Sequence, residues 1–263
     1  MGGGDGRSAA QSPGSSCGAY SGESLAQRFF QQPGDIDAAD SSLRISNSVT
    51  STSPDWSGLR LEAIYAFGGV AGSMGSGQTY SGAVSYGNAR YRWPRSRLHI
   101  DNGSAALSSR GTTSADSIFK RSVNNAYASS RSIDITRAGG NYVHGDLTVG
   151  GYYSFSQYSP DACSTFRKSE KYHNGEVYVL WQLTAALQAE IGYDYMKSYG
   201  DSSAKQNQFA LGVDYFLSKR TDVYGVASGQ SGAGAAPTMI GSNNVDSGSN
   251  KQAQVVVGMH HRF

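Results

Sequence analysis

Apolar and polar side chains alternate along most of this chain from Leu43 onward. In the segment WSGLRLEAIYAFG, Arg60 and Glu62 fall on one face, and the opposite face collects Leu59, Leu61, Ala63, Tyr65 and Phe67. Successive side chains of a β-strand point to opposite sides, whereas a helix would mix these two sets. The pattern therefore predicts a strand with one apolar and one polar face.

The same alternation of period two returns along the rest of the chain, in segments of about ten residues. We predict eleven strands, at 43–52, 56–67, 78–87, 89–100, 131–143, 146–157, 172–182, 185–197, 206–217, 221–229 and 252–263. The fourth has the weakest pattern. It contains Pro94, which cannot donate to a strand ladder, and several arginines that are costly on a lipid-facing side.

Short and long connections follow each other in turn between these segments. Tight links fall near 54–58, 144–146, 183–185 and 218–221, and long polar loops near 68–78, 157–172, 198–205 and 229–251. Short turns at one end and long loops at the other are typical of outer-membrane barrels. The fold class we predict is all-β, an antiparallel transmembrane β-barrel; a soluble β-sandwich is the alternative and would show turns at 8–12-residue spacing.

The composition agrees with a surface of which half is apolar and half contacts water. Charged residues make up only 16% of the chain, glycine reaches 34 residues and tyrosine 17, and mean hydropathy is -0.43. No stretch approaches the roughly 18 apolar residues of a spanning helix, so any membrane crossing would use strands. The formal net charge of +2 is scattered along the chain and indicates no nucleic-acid partner.

Residues 1–40 differ from the rest. They are rich in Gly, Ser, Gln and Ala without sustained periodicity, which favours a disordered or aberrant leader ahead of a barrel region at 41–263. They also lack the basic start and apolar core of a secretory signal, which counts against export.

Four pieces of the chain resemble the general-diffusion porins of β-proteobacteria, of the neisserial and Burkholderia type. They are NSVTSTSPDWSGLRLEAIYAFGGVAGS (47–73), NGEVYVLWQLTAAL (174–187), ALGVDYFLSKRTDVYGVAS (210–228) and VVVGMHHRF (255–263). The resemblance implies a Gram-negative outer-membrane porin of about sixteen strands, normally a homotrimer, with an acidic constriction loop facing an arginine-rich wall. About five front strands and that loop have no counterpart that we can identify in the sequence, so we expect an incomplete barrel. A frameshift or a misplaced start codon is one hypothesis for it.

Charged side chains on the predicted water face are the candidates for lining a channel, because lumen charges bias ion flow. They are Arg44, Arg60, Glu62, Glu190 and Asp194. The alternative is a solvated strand face with no role in selectivity. No set of residues indicates catalysis, and no cofactor is expected.

The last strand ends in an aromatic residue on its apolar face. This resembles the carboxy-terminal signal read by the barrel-assembly machinery, with Phe263, His261, Met259, Val257 and Val255 as its members. The alternative is a strand that simply ends in Phe. The neighbouring His260 and His261 point to opposite faces and cannot share one metal ion.

The function we expect is passive diffusion of ions and small hydrophilic solutes through a water-filled barrel in the cell outer membrane. Expected partners are outer-membrane lipid, the barrel-assembly machinery and, if the barrel is intact, two further copies in a homotrimer. A non-conducting porin fragment or an adhesin-like barrel remnant is the alternative, and the chain is not expected to be an enzyme.

Overall fold

The computed structural model describes residues 33–38, 45, 47–68, 72, 77–101, 125–234, 240 and 247–262. Within them, eleven strands form one antiparallel sheet in which every strand pairs with its neighbours in sequence. The strands are β1 (Ser48–Thr52), β2 (Leu59–Ala66), β3 (Thr79–Gly87), β4 (Tyr91–Asp101), β5 (Ser132–His144), β6 (Leu147–Ser159), β7 (Glu170–Gln182), β8 (Leu187–Tyr199), β9 (Lys205–Phe216), β10 (Thr221–Ala233) and β11 (Lys251–His261). All eleven predicted strands are present, and the predicted all-β antiparallel fold is confirmed.

Several strand bounds differ from those predicted. β1 begins at Ser48 instead of residue 43, because Asn47 adopts a positive φ of 53° that ends the extended backbone. β10 continues to Ala233, four residues beyond its predicted end, and its last residues pair with the start of β9. The sequence pattern did not predict this extension, because small residues such as Gly232 and Ala233 do not continue the alternation of apolar and polar side chains.

β4 is a regular strand in spite of Pro94. It is 11 residues long and pairs continuously with β3, where Pro94 lies opposite Ser85. Its ladder with β5 is interrupted at Trp93 and Pro94, since proline has no N–H to donate. The weakness of the sequence pattern therefore corresponds to a local gap in pairing and not to a missing strand.

A tight turn joins β1 to β2. The Asp55 carboxylate accepts a hydrogen bond from the Gly58 N–H at 2.6 Å and another from the Arg60 Nε at 3.0 Å. Gly58 has a φ of 95°, and a Cβ there would collide with the Gly87 carbonyl oxygen, so only glycine fits. This turn brings the β1–β2 and β3–β4 connections together at one end of the sheet.

The sheet has two edges in the part of the chain that the structure describes. β1 pairs only with β2, and β11 pairs only with β10. The barrel is therefore not closed by these eleven strands. No helix among the described residues is both long and apolar enough to cross a membrane.

Candidate channel-lining face

The two faces of the sheet differ sharply in burial. On β8 the side chain of Glu190 is 2% exposed while its neighbour Ile191 is 46% exposed, and on β9 Gln208 is 1% and Phe209 is 55% exposed. We call the buried side the inner face and the other the outer face. The inner face is mostly polar and the outer face apolar, which is the reverse of a soluble protein and the arrangement expected of a strand between lipid and water.

Among the described residues, the apolar positions that the alternation predicted lie on the outer face. Val149 and Tyr153 on β6, Leu211 on β9 and Val257 on β11 are all exposed. Large hydrophobic side chains in a continuous exposed surface of this kind mark contact with lipid or protein.

Four of the five predicted lining residues lie on the inner face. Arg60 and Glu62 belong to β2, and Glu190 and Asp194 belong to β8. Arg44 lies outside the described residues. The structure thus separates these four into two groups on different strands, and their role in conduction stays a prediction.

The first group lines a cavity of about 400 Å³ near the short-turn end of β2–β4. Arg60 lies here with Glu62, Asp55 and Arg92, all among the lining residues. The side chain of Arg60 is 59% exposed although its Nε bonds to Asp55. A guanidinium that is fixed by a hydrogen bond and still accessible to water can attract or repel an ion in that water.

The second group belongs to a strongly acidic part of the inner face on β7–β10. Asp194 lies directly opposite Glu176 of β7, and its Oδ2 accepts a hydrogen bond of 2.9 Å from the Asn174 Nδ2. Glu190 lies between Leu180 and Gly212. The inner positions of these four strands hold six acids and no lysine or arginine among the described residues: Glu170, Glu176, Glu190, Asp194, Asp214 and Asp222.

A short segment, residues 33–38, packs against the inner face of β5–β7. Arg137 of β5 donates from its Nη2 to the carbonyl oxygens of Asp37 and Ala38. The hydroxyl of Tyr152 donates to the Asp37 Oδ2 at 2.8 Å, and that of Tyr158 to the Ile36 carbonyl at 2.7 Å. The sequence reading assigned these residues to the leader and found no acidic group facing a basic wall.

Apolar contacts hold the same segment in place. Ile36 and Ala38 are fully buried in a cluster on the inner face that includes Leu98, Ile133 and Met196. The segment is thus fixed by both packing and hydrogen bonds, with the Asp37 carboxylate held by Tyr152 and the Asp37 carbonyl by Arg137.

One loop is also tied to this face. The Glu170 Oε2 accepts hydrogen bonds from the backbone N–H groups of Asp201 and Ser202. The Asp201 carboxylate in turn accepts from the N–H groups of Arg167 and Lys168, and these bonds lower the pKa of Asp201. The β6–β7 and β8–β9 loops are therefore joined to each other at the long-loop end.

The candidate residues that sequence reasoning missed fall into two kinds. Arg137 and Glu176 lie at inner positions of strands that were predicted, so the same alternation could have found them. Asp37 could not be found in this way, because its position depends on contacts with residues about a hundred positions away.

Four of the five proposed assembly residues lie on β11, where they were predicted. Val255, Val257 and Met259 are 76%, 75% and 65% exposed on the outer face. His261 is also exposed, and its Nδ1 lies 2.8 Å from the Thr221 Oγ1. Phe263 lies outside the described residues, and recognition by an assembly machinery is not tested by this geometry.

A family model described as Gram-negative porin matches residues 8–232. The chain belongs to this porin family. Its alternating faces and its sheet are those expected of a family member, and membership supports an outer-membrane location. No curated protein sequence matches the chain.

Solved porin structures share the fold. An anion-selective porin from Comamonas acidovorans superposes with a TM-score of 0.62 at 18% identity, covering 91% of this chain and 65% of that porin. OmpT of Vibrio cholerae, an outer-membrane protein in a trimer form, gives 0.62 at 13% identity and covers 94% and 74%. A porin refined at 1.8 Å gives 0.50 at 13% identity and covers 81% and 60%. The chain thus spans about two thirds of the length of the Comamonas porin.

Proposed function

We propose that this chain forms the wall of an outer-membrane channel through which ions and small hydrophilic solutes diffuse passively. One observation carries the proposal: on most of the eleven strands, polar side chains occupy the inner face and apolar ones the exposed outer face, the long-loop halves of β4 and β5 being the exception. Such a wall separates water from lipid and provides no energy coupling. The family and the fold favour a channel over an enzyme.

Arg60, Glu62, Glu190, Asp194 and, on its predicted strand, Arg44 are the proposed lining residues. Arginine on β2 and carboxylates on β7–β10 would place opposite charges on different parts of the inner face. Ions passing between them would feel a transverse field, because lumen charge sets ionic preference in pores. The Arg60 guanidinium is the most accessible of the lining charges in the described cavity.

The open edges of the sheet favour a second candidate, a porin fragment or adhesin-like remnant that does not conduct. Unpaired backbone N–H and C=O groups of β1 and β11 cannot face hydrocarbon. Either further strands complete the barrel or the isolated chain conducts nothing. The chain spans 65% of the Comamonas porin, which is consistent with strands lying ahead of β1.

The finer assignments belong to the same proposal. The neisserial and Burkholderia type, the homotrimer and delivery by the barrel-assembly machinery through residues 255–263 rest on the sequence resemblance. The leader over residues 1–40 ahead of a barrel at 41–263 rests on the composition and the missing periodicity of those forty residues. Within that range, the family match begins at residue 8, and residues 33–38 pack on the inner face.

Planar-bilayer recording tests the proposal. We expect the refolded chain to give defined conductance steps, and Arg60→Gln to shift the reversal potential in a salt gradient toward cations by several millivolts. Arg220→Gln, which removes an equal charge from the exposed β9–β10 turn, is the matched control and should shift it less. Folded protein that inserts into the bilayer without conducting would support the fragment instead.

A further inference from the structure

The two faces of the sheet exchange their polarity in the long-loop halves of β4 and β5. The inner positions there are apolar and buried; they are Leu98, Ile100, Ile133 and Ile135. The outer positions carry charged or titratable side chains, namely Arg95, Arg97 and His99 on β4 and Asp134 on β5. We call these last four residues the polar patch. Arginine on a lipid-facing side is costly, so a patch of this kind on the outer face requires a physical reason.

Both arginines of the polar patch lie at the height of the apolar band. Tyr91, beside the short turn, is exposed on the outer face, and its ring centre lies 5.0 Å from that of Tyr142, which marks the membrane interface at this end. Arg95 lies four positions and Arg97 six positions farther along β4. At roughly 3.3 Å per residue and a tilt of about 45°, they lie about 9 and 14 Å from that interface along the membrane normal. An apolar band about 25 Å tall therefore includes both.

The side chains beside Arg97 are too small to shield it from lipid. Its partners in register are Gly82 on β3 and Thr136 on β5, and a Cβ at Gly82 would meet no described atom within 4 Å. By contrast, Ile191 and Leu211 lie opposite each other on β8 and β9 and form a continuous apolar surface. The Arg97 side chain is 71% exposed although it takes part in an ion pair. An exposed guanidinium between small residues fits a protein surface better than acyl chains, because membrane proteins pack together at small and polar residues.

The charges of the polar patch are complementary to those of a second, identical patch. The arginines belong to β4 and the carboxylate to the adjacent β5, where Asp134 is in register with His99. Rotation by 180° about an axis along the membrane normal places β4 of one copy against β5 of the other and keeps every residue at its own height. Arg97 of each copy then faces Asp134 of the other, and their 3.4 Å contact within one chain shows that the arginine reaches the height of that carboxylate. Such a contact is self-complementary, as an isologous interface requires.

We propose that the polar patch is an interface at which a second copy of this chain packs against the first about a two-fold axis. The inference goes beyond solute diffusion and rests on the membrane setting proposed above. The homotrimer expected from the resemblance specifies no face of this sheet, and a two-fold contact at β4–β5 is separate from it. Two copies joined in this way cover each other's arginines and leave the inner faces unchanged.

Energy transfer between copies of the refolded full chain in lipid vesicles tests the interface. Asp146→Cys, in the β5–β6 turn of a chain whose Cys17 and Cys163 are serine, carries either the donor or the acceptor dye. At high dilution in lipid we expect transfer well above the level of random encounters. Transfer at the random level would overturn the proposal.

Charge reversal locates the contact. R95E/R97E should weaken association at least about tenfold, and D134K should weaken it too, because like charges across an interface repel. Mixing the two variants should restore association, since an acidic patch then meets a basic one, and no ion pair within a single chain can produce that result. R90E/R220E, which reverses two arginines of the short turns, is the matched control and should associate within about twofold of the parent chain.

A disulfide cross-link tests the same contact without a change of charge, and it applies even if R95E/R97E does not refold. Thr136 lies beside the proposed axis on β5, so T136C chains should form covalent dimers on mild oxidation. They should do so at least about tenfold faster than V213C chains, whose cysteine lies on the outer face of β9, because paired cysteines have a high effective concentration.

Three further results would overturn the interface. They are equal cross-linking at the two cysteines, no restoration when the folded charge variants are mixed, and equal association of R95E/R97E and its control. A chain that conducts in defined steps but stays monomeric would also contradict the interface alone. A chain that associates as expected without conducting would contradict only the channel.

Discussion

At the scale of single residues, the Asp55 carboxylate links the turn between β1 and β2 to the lining charge of Arg60. Its hydrogen bond from the Gly58 N–H, together with the Arg60 side chain, holds the pKa of Asp55 below its usual value. A carboxyl group with a lowered pKa in the folded state stabilises that state when ionised. This contribution is complete above the ordinary pKa of Asp, about 4, and is lost as pH falls through the lower folded value.

Replacing Asp55 with asparagine should therefore flatten the acid dependence of stability. Asparagine keeps an oxygen to accept from Gly58 but loses the charge beside Arg60. Between pH 5 and pH 2.5 the unchanged chain should lose more of its unfolding free energy than Asp55→Asn, as measured by urea unfolding in vesicles. Asp201 titrates in both proteins and cancels. Parallel loss in the two proteins would contradict this account.

The face on which a side chain lies was predictable wherever its strand was predicted. The alternation from Leu59 to Phe67 places Arg60 and Glu62 on the polar side, and the structure has them on the inner face. The alternation carries no information about the position of Asp37, which accepts a hydrogen bond from Tyr152, 115 positions away in the sequence. Contacts that depend on a distant partner leave no trace in local periodicity.

At the scale of strands, β9 gives the clearest separation of faces. Leu211 is 52% exposed on the outer face, while Gln208 is 1% exposed and lies opposite Asp194 and Gln230 on the inner face. Strand bounds were less predictable than strand identity, because turns such as the one at Asn47 and Gly-rich ends such as that of β10 interrupt the pattern.

Arginine should be tolerated on only one of these two faces. Leu211→Arg places a charge in the apolar band and should cost about 2–4 kcal/mol of unfolding free energy in lipid. Gln208→Arg puts the same residue beside the acids of β8 and should cost clearly less. Urea unfolding of both variants in the same vesicles provides the comparison. A greater loss for Gln208→Arg would assign the faces the other way round.

At the scale of the whole molecule, the described residues form one sheet in which each strand pairs with its neighbours in sequence, and the sheet has two unpaired edges. The eleven strands of the described residues were predictable from the sequence, and the first and last of them do not pair with each other. How the edges are satisfied was not predictable, since every local pattern concerns only the two faces of the sheet.

Contact with lipid at alternate residues is the claim on which the proposed function depends. The most direct measurement is a scan of single cysteines along β9, from Asn207 to Tyr215, in a background where Cys17 and Cys163 are serine. Each variant carries a fluorophore in lipid vesicles and is exposed to a quencher in the acyl chains or to iodide in water. The account predicts lipid quenching at Phe209, Leu211 and Val213 and none at Gln208, Ala210 and Gly212; equal quenching at successive positions would contradict it.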